Sequence, residues 1–173
     1  GVQDQIAAAY GGFNRIDFSK DGFIVTPLII PNERKRELNG NLMLFFTGFS
    51  RYASDIEISR KKAMKDKTKE LKEMLALVDD AQNVLVSKGS LNEFGRMLDH
   101  TWKLKRGITN KISNDSIDAV YKRAVEAGAL GGKLLGAGGG GFMLFYVEKD
   151  KQDNVRKELE DLLYVPFEFE NGG

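Results

Sequence analysis

The chain has no cysteine, and only one histidine, one tryptophan and three prolines in 173 residues. Without cysteine there are no disulfides and no thiolate chemistry, which fits a cytoplasmic setting. With His100 as the sole imidazole, a tetrahedral zinc site has almost nothing to build on. Long hydrophobic runs are missing too. Leu42 to Phe46 and Phe142 to Val147 are among the longest, far below the roughly 20 residues that span a bilayer. No signal-peptide pattern is visible. Neither sign of charge dominates: 26 basic against 25 acidic residues leave a net charge of +1. Bulk electrostatics therefore points to neither nucleic acid nor an anionic membrane.

Glycine is what the chain has in abundance, with five of the six residues from 136 to 141. Gly136-x-Gly138-x-x-Gly141 has the letters of a dinucleotide-binding fingerprint, which requires a strand before the glycines and a helix after them. Phe142 to Val147 instead reads as a buried strand, short and rich in aromatic and aliphatic residues. No Gly-Lys-Ser/Thr closes the loop, so a P-loop is excluded as well. A strand, glycine loop and strand hairpin is predicted.

A hydrophobic fraction of 42% with 29% charged residues suits one domain with a real core, plus at most a small appendage. Residues 1–14 read as a short alanine-rich helix stopped by Gly11-Gly12. Extended pieces follow at Arg15 to Phe18 and Phe23 to Ile30, around the turn Ser19-Lys20-Asp21-Gly22. Pro31 to Gly40 reads as a charged loop, and Leu42 to Thr47 as a strand. A long charged helix is predicted from Ile56 to about Lys88, with Leu71, Met74, Leu75, Val78, Ala81 and Leu85 as its apolar stripe. Its interleaved lysines and carboxylates read as a solvated face.

Gly89-Ser90 breaks the chain, with Ser90 placed to cap a helix marked by Leu91, Phe94, Leu98 and Trp102. Ser113-Asn114-Asp115 offers caps for another, with Ile117, Val120, Tyr121, Ala124 and Val125 inward and Gly128 near its end. After the hairpin, Val155, Leu159, Leu162 and Leu163 form a fourth stripe. Val165 to Phe169 closes as an edge strand, where Pro166 is tolerated. The order predicts an α+β fold: an antiparallel sheet with helices packed on one face.

Gly1-Val2-Gln3-Asp4-Gln5 with Gly11-Gly12, and the glycine loop leading into a strand, resemble the second and third signatures of the GHMP small-molecule kinases. Thr47 to Arg51, Thr101 to Arg106, Ile112 to Asn114, Ile117-Asp118 and Gly131 to Gly136 extend the likeness, in order, along essentially the whole chain. They resemble the D-glycero-D-manno-heptose 7-phosphate kinase branch most, and the fucokinase and N-acetylhexosamine kinase branches share much of this framework.

The resemblance implies a ferredoxin-like carboxyl-terminal domain at 36–173, with 1–35 as the last elements of an amino-terminal kinase domain. It implies ATP with Mg²⁺ as phosphoryl donor and the anomeric hydroxyl of a heptose 7-phosphate as acceptor. Kinases for fucose, galactose or N-acetylhexosamine, and a non-catalytic sugar-sensing relative, are the alternatives.

A sugar hydroxyl must be aligned with the γ-phosphate, and a carboxylate accepting its proton assists. An aspartate at a helix start is ordinarily a cap; the resemblance makes Asp4 the candidate base. It puts Gln5, Gly11 and Gly12 near the sugar, and Gly136, Gly138, Gly139, Gly140 and Gly141 near the nucleotide, packed on the other domain. A substrate carrying its own phosphate calls for a guanidinium or ammonium clamp; Arg51, Lys105 and Arg106 are the candidates. Trp102 is assigned to the core, and His100 receives no role.

The family's first signature, a Gly/Ser-rich phosphate loop at a helix N-terminus, is absent. The chain starts at glycine directly in a motif, so it reads as a cut from a longer kinase, inactive alone and not expected to bind ATP. Oligomeric state is not readable.

Overall fold

The computed structural model describes residues 2–48, 67–108, 112–136, 140–170 and 172. Helix α1 (Val2–Tyr10) leads into a hairpin of β1 (Asn14–Ser19) and β2 (Gly22–Pro27), then α2 (Asn32–Gly40) and β3 (Leu42–Phe46). Helices α3 (Thr68–Val86), α4 (Asn92–Ile108) and α5 (Asp115–Glu126) follow. The chain ends with β4 (Gly131–Leu134), β5 (Phe142–Tyr146), a 3₁₀ turn, α6 (Gln152–Glu158) and β6 (Leu163–Val165). No described helix is long and apolar enough to cross a membrane.

The α+β expectation holds. Strands β4, β5, β3 and β6 form, in that order, a four-stranded antiparallel sheet, while β1 and β2 pair only with each other. Side chains alternate across a strand. Met43, Phe45, Leu134, Met143, Phe145 and Val147 share one core with Trp102, Ile117, Tyr121, Val155 and Leu159 from the helical layer. Leu42 and Tyr146 join a second cluster with Ile30, Leu38, Leu85 and Leu91. Helix α4 lies against β4 at backbone distance. A Cβ built on Gly131 would overlap the Gly95 carbonyl oxygen and sit 2.6 Å from the Asp99 nitrogen.

Several local expectations are corrected. Residues 32–40, read as a loop because only Leu38 is apolar, form α2. Pro31 with φ −55° begins it, and Arg34 Nη2 donates to the Val84 carbonyl at 2.6 Å, tying α2 to the end of α3. On α3, Leu71 and Met74 pack on the core and Leu85 is buried, whereas Leu75 and Val78 are exposed. The stripe was wider than the face the helix buries. The part of that helix predicted before residue 67 lies outside the described residues.

Val125 is likewise exposed at the end of α5. Leu163 belongs to β6, which takes the edge of the sheet beside β3 and ends before Pro166. Proline has no N–H for the ladder, so the strand stops one residue short of it.

Ser90 and Asn114 act as the sequence suggests. The Ser90 hydroxyl accepts from the Asn92 N–H at 3.2 Å, and Asn114 Oδ1 accepts from the Ile117 N–H at 3.0 Å. Replacing Asn114 by alanine is expected to destabilise the protein by about 1 kcal/mol in urea titration, since the helix loses its capping acceptor. An unchanged midpoint would mean that water replaces the cap.

Candidate functional site

The glycine loop is held at both ends. The Leu135 N–H donates to the Phe142 carbonyl at 2.8 Å, closing the hairpin. At the far end, the Thr47 N–H and hydroxyl both donate to the Gly141 carbonyl, at 2.9 and 2.8 Å. At the near end, Lys105 Nζ reaches from α4 to the Gly136 carbonyl at 3.1 Å. Gly136 and Gly141 have φ of 74° and 102°, a region L side chains rarely adopt. A Cβ at either position would meet nothing within 4 Å. Backbone conformation therefore demands these two glycines, and no described atom stands where their Cβ would be. Gly138 and Gly139 lie outside the described residues; Gly140 is described only as a bend.

Helix α1 is anchored by one buried side chain, Ile6, and carries Asp4 in its first turn, with Asp4 and Gln5 exposed. Its end is a left-handed stop at Gly11 and Gly12, with φ of 62° and 67°. The Gly11 N–H bonds the Ala7 carbonyl at 3.0 Å, and Asn14 Nδ2 donates to the Gly11 carbonyl at 2.6 Å. The Gly-Gly pair thus turns the chain from helix to hairpin.

The Asp4 carboxylate acts electrostatically on Lys133, a partly buried lysine on β4 three positions before Gly136. Burial pushes the Lys133 ammonium below the usual lysine range, and Asp4 opposes that shift. The structure so brings together the first turn of α1 and the strand that runs into the glycine loop, two motifs about 130 residues apart in sequence. Lys133 lies inside the Gly131 to Gly136 motif and is not among the site residues that the resemblance implies. A lysine directly before an apolar pair and a glycine loop was the available signal.

The clamp candidates separate. Arg51 lies outside the described residues. Lys105 turns to the glycine loop, whereas Arg106 Nη2 turns to Asp118 Oδ2 at 2.6 Å, where Ser113 Oγ also donates to Oδ1 at 2.5 Å. Arg106, Lys103, Ser113, Asn114, Asp115 and Asp118 line a cleft of about 520 Å³. The Arg106–Asp118 pair is about a third exposed on both sides. Such pairs contribute about 0–1 kcal/mol, so a dianionic ligand could displace the carboxylate. Lys103 pairs with Asp99 at 2.6 Å, and Asp99 also accepts from the Tyr121 hydroxyl at 2.7 Å. Burial and that hydrogen bond hold the Tyr121 phenol neutral, well above the usual tyrosine range. Trp102 is in the core, as expected, and His100 bonds Glu73 at 2.7 Å.

Residues 78–165 match the protein family described as GHMP kinases C terminal. The chain is 38% identical over 162 residues to the D-glycero-alpha-D-manno-heptose 7-phosphate kinase of Campylobacter jejuni, covering 92% of this chain and 48% of that protein. It is 31% identical to the L-fucokinase/L-fucose-1-P guanylyltransferase of Bacteroides fragilis, over 90% of this chain and 17% of that one. Among solved structures, a D-glycero-D-manno-heptose 1-phosphate kinase from Bacteroides thetaiotaomicron superposes with TM-score 0.61 at 30% identity, covering 100% of this chain and 47% of that one. The L. major mevalonate kinase complex with R-mevalonate gives TM-score 0.71 at 23% identity, over 91% and 47%, a likeness of fold. The chain spans about half the length of the heptose 7-phosphate kinase.

Proposed function

We propose a function from one premise: the chain belongs to the GHMP kinase family, through its carboxyl-terminal domain. The full-length protein is a cytoplasmic, ATP-dependent sugar kinase that phosphorylates the anomeric hydroxyl of a heptose 7-phosphate, and this chain supplies its carboxyl-terminal half. Residues 1–35 are the last elements of the amino-terminal domain, and 36–173 the carboxyl-terminal one. The separate β1–β2 sheet supports this division. So do the exposed Val2, Tyr10, Phe18, Phe23, Ile24 and Ile29, apolar surface that the rest of that domain would cover.

The observation that carries the reading is that Lys133, on the strand that runs into the glycine loop, lies within the field of Asp4. Phosphoryl transfer demands alignment and charge stabilisation more than covalent chemistry. Asp4 accepts the acceptor hydroxyl's proton, and Gln5, Gly11 and Gly12 border the sugar. A glycine loop and a partly buried ammonium suit the anionic end of a nucleotide. Magnesium would arrive with the triphosphate, neutralising charge there.

Identity to a heptose 7-phosphate kinase supports the heptose phosphate as acceptor; the fucokinase relative supports a different sugar as the second reading. Retention of Asp4 favours an enzyme over a sugar sensor, which has no use for a base. Incubating the full-length protein with MgATP and a panel of sugars and sugar phosphates is expected to give one phosphorylated product, from heptose 7-phosphate. Preference for an unphosphorylated sugar would replace the substrate, and no turnover with any would end the kinase reading.

The substrate's own phosphate is assigned to Arg51, Lys105 or Arg106. For Arg106→Ala in the full-length enzyme, KM for the sugar phosphate is expected to rise about tenfold or more, with little change for an unphosphorylated analogue. Equal effects on both substrates would return Arg106 to its structural pairing with Asp118.

A further inference from the structure

Lys133 is the described cation whose setting the fold does not explain. Arg15, Lys67, Lys103, Arg106 and Arg123 each have a carboxylate at contact distance. Lys133 has burial working against its charge and, among the described residues, the field of Asp4 in its favour. Its neighbours on β4 explain the direction it takes. Leu134 is buried in the core with Phe145, and a Cβ on Gly132 would meet the Phe145 ring at 2.5 Å. Lys133 therefore leaves the opposite face of the strand, beside its register partner Leu144. It stands just before the loop whose first carbonyl Lys105 holds. A partly buried ammonium with no contact anion among the described residues is unfavourable, and the fold tolerates it where a ligand completes the pairing.

We infer that Lys133 is a catalytic residue of this site, binding the phosphoryl group as it passes from nucleotide to acceptor. This rests on the kinase reading. In that step the acceptor oxygen bonds to the terminal phosphorus of the nucleoside triphosphate. The bond from that phosphorus to the bridging oxygen breaks, the nucleoside diphosphate departs with that electron pair, and the hydroxyl proton passes to Asp4. Lys133 gives up no proton. Its ammonium donates to phosphoryl oxygens whose charge redistributes during transfer, and between turnovers it keeps a positive potential on Asp4.

Lys133→Met retains the stem and removes the charge; Lys133→Arg retains a charge. In the full-length enzyme, Lys133→Met is expected to lower kcat by about 10²–10³-fold, as when one preorganised donor is lost. Its melting temperature should be unchanged or higher, because a desolvated charge is gone, and Lys133→Arg should recover part of the rate. Calorimetry is expected to show weaker ATP binding for Lys133→Met with ADP binding preserved. A kcat within about threefold of wild type would overturn the inference, and so would equal weakening of ATP and ADP together with a lower melting temperature. Should the wild type phosphorylate no sugar, the kinase reading fails by itself. The ATP–ADP comparison then still decides whether Lys133 meets a terminal phosphate.

Discussion

Asp4→Asn in the full-length enzyme is expected to lower kcat by about 10²–10⁴-fold while changing KM for either substrate little. A carboxylate that accepts the acceptor's proton acts chiefly in the transition state, so its loss falls on turnover and not on ground-state binding. Asparagine keeps the size and one carbonyl oxygen. Asp4 is exposed on the first turn of α1, and the helix is anchored by Ile6, so folding should survive. As a first-turn acid alone, Asp4 would contribute about 0.3–1 kcal/mol through the helix dipole, with no effect on turnover. The two roles therefore separate on different instruments. Steady-state kinetics within a few-fold of wild type, with a small drop in melting temperature, would leave Asp4 as a helix-end charge. In a loose transition state the hydroxyl needs little deprotonation before it attacks. A loss at the lower end of the range would then assign Asp4 mainly to orienting that hydroxyl.

Gly131→Ala is expected to destabilise the protein by about 3 kcal/mol or more, at or above the upper range of core overpacking. The atoms a Cβ would meet are the Gly95 carbonyl oxygen, the Asp99 nitrogen at 2.6 Å and the Asp99 Cβ at 2.8 Å. Two of these are backbone atoms of α4, so no side-chain rotation relieves the overlap, and helix and strand must separate. Asp99 also bonds Tyr121 and Lys103, so displacing it strains the contact between α4 and α5. The same helix supplies a control. At Gly107 a Cβ would meet nothing within 4 Å, and Gly107→Ala should be neutral or stabilising by up to about 1 kcal/mol. Urea titrations of both variants in the full-length protein test the pair. Similar midpoints for the two would show that the α4–β4 contact is looser than described.

Gly131 shows where sequence reading stopped. Gly131-Gly132 was visible as part of a motif, but that one of them seats a helix backbone against a strand depends on Gly95, 36 positions earlier. The hairpin was legible because Phe142 to Tyr146 is apolar and the six residues before it are nearly all glycine: local composition alone dictates strand and turn. Helices α4 and α5 were legible for the same reason, each having a cap and a 3.6-residue stripe. Helix α2 was not. Its single buried side chain, Leu38, leaves no stripe, and what orders it is an arginine reaching carbonyls 50 residues away.

The α+β order of elements, the choice of a glycine hairpin over a dinucleotide loop, and the likeness to GHMP kinases are legible along the chain. All of these lie in local pattern and in motifs read along the chain. That Lys105 and Arg106, adjacent in sequence, serve different partners, and that Lys133 lies within the field of Asp4, emerges only from the fold. Charges couple through space and through the solvent that burial removes, and neither quantity is written in the spacing of residues along the chain.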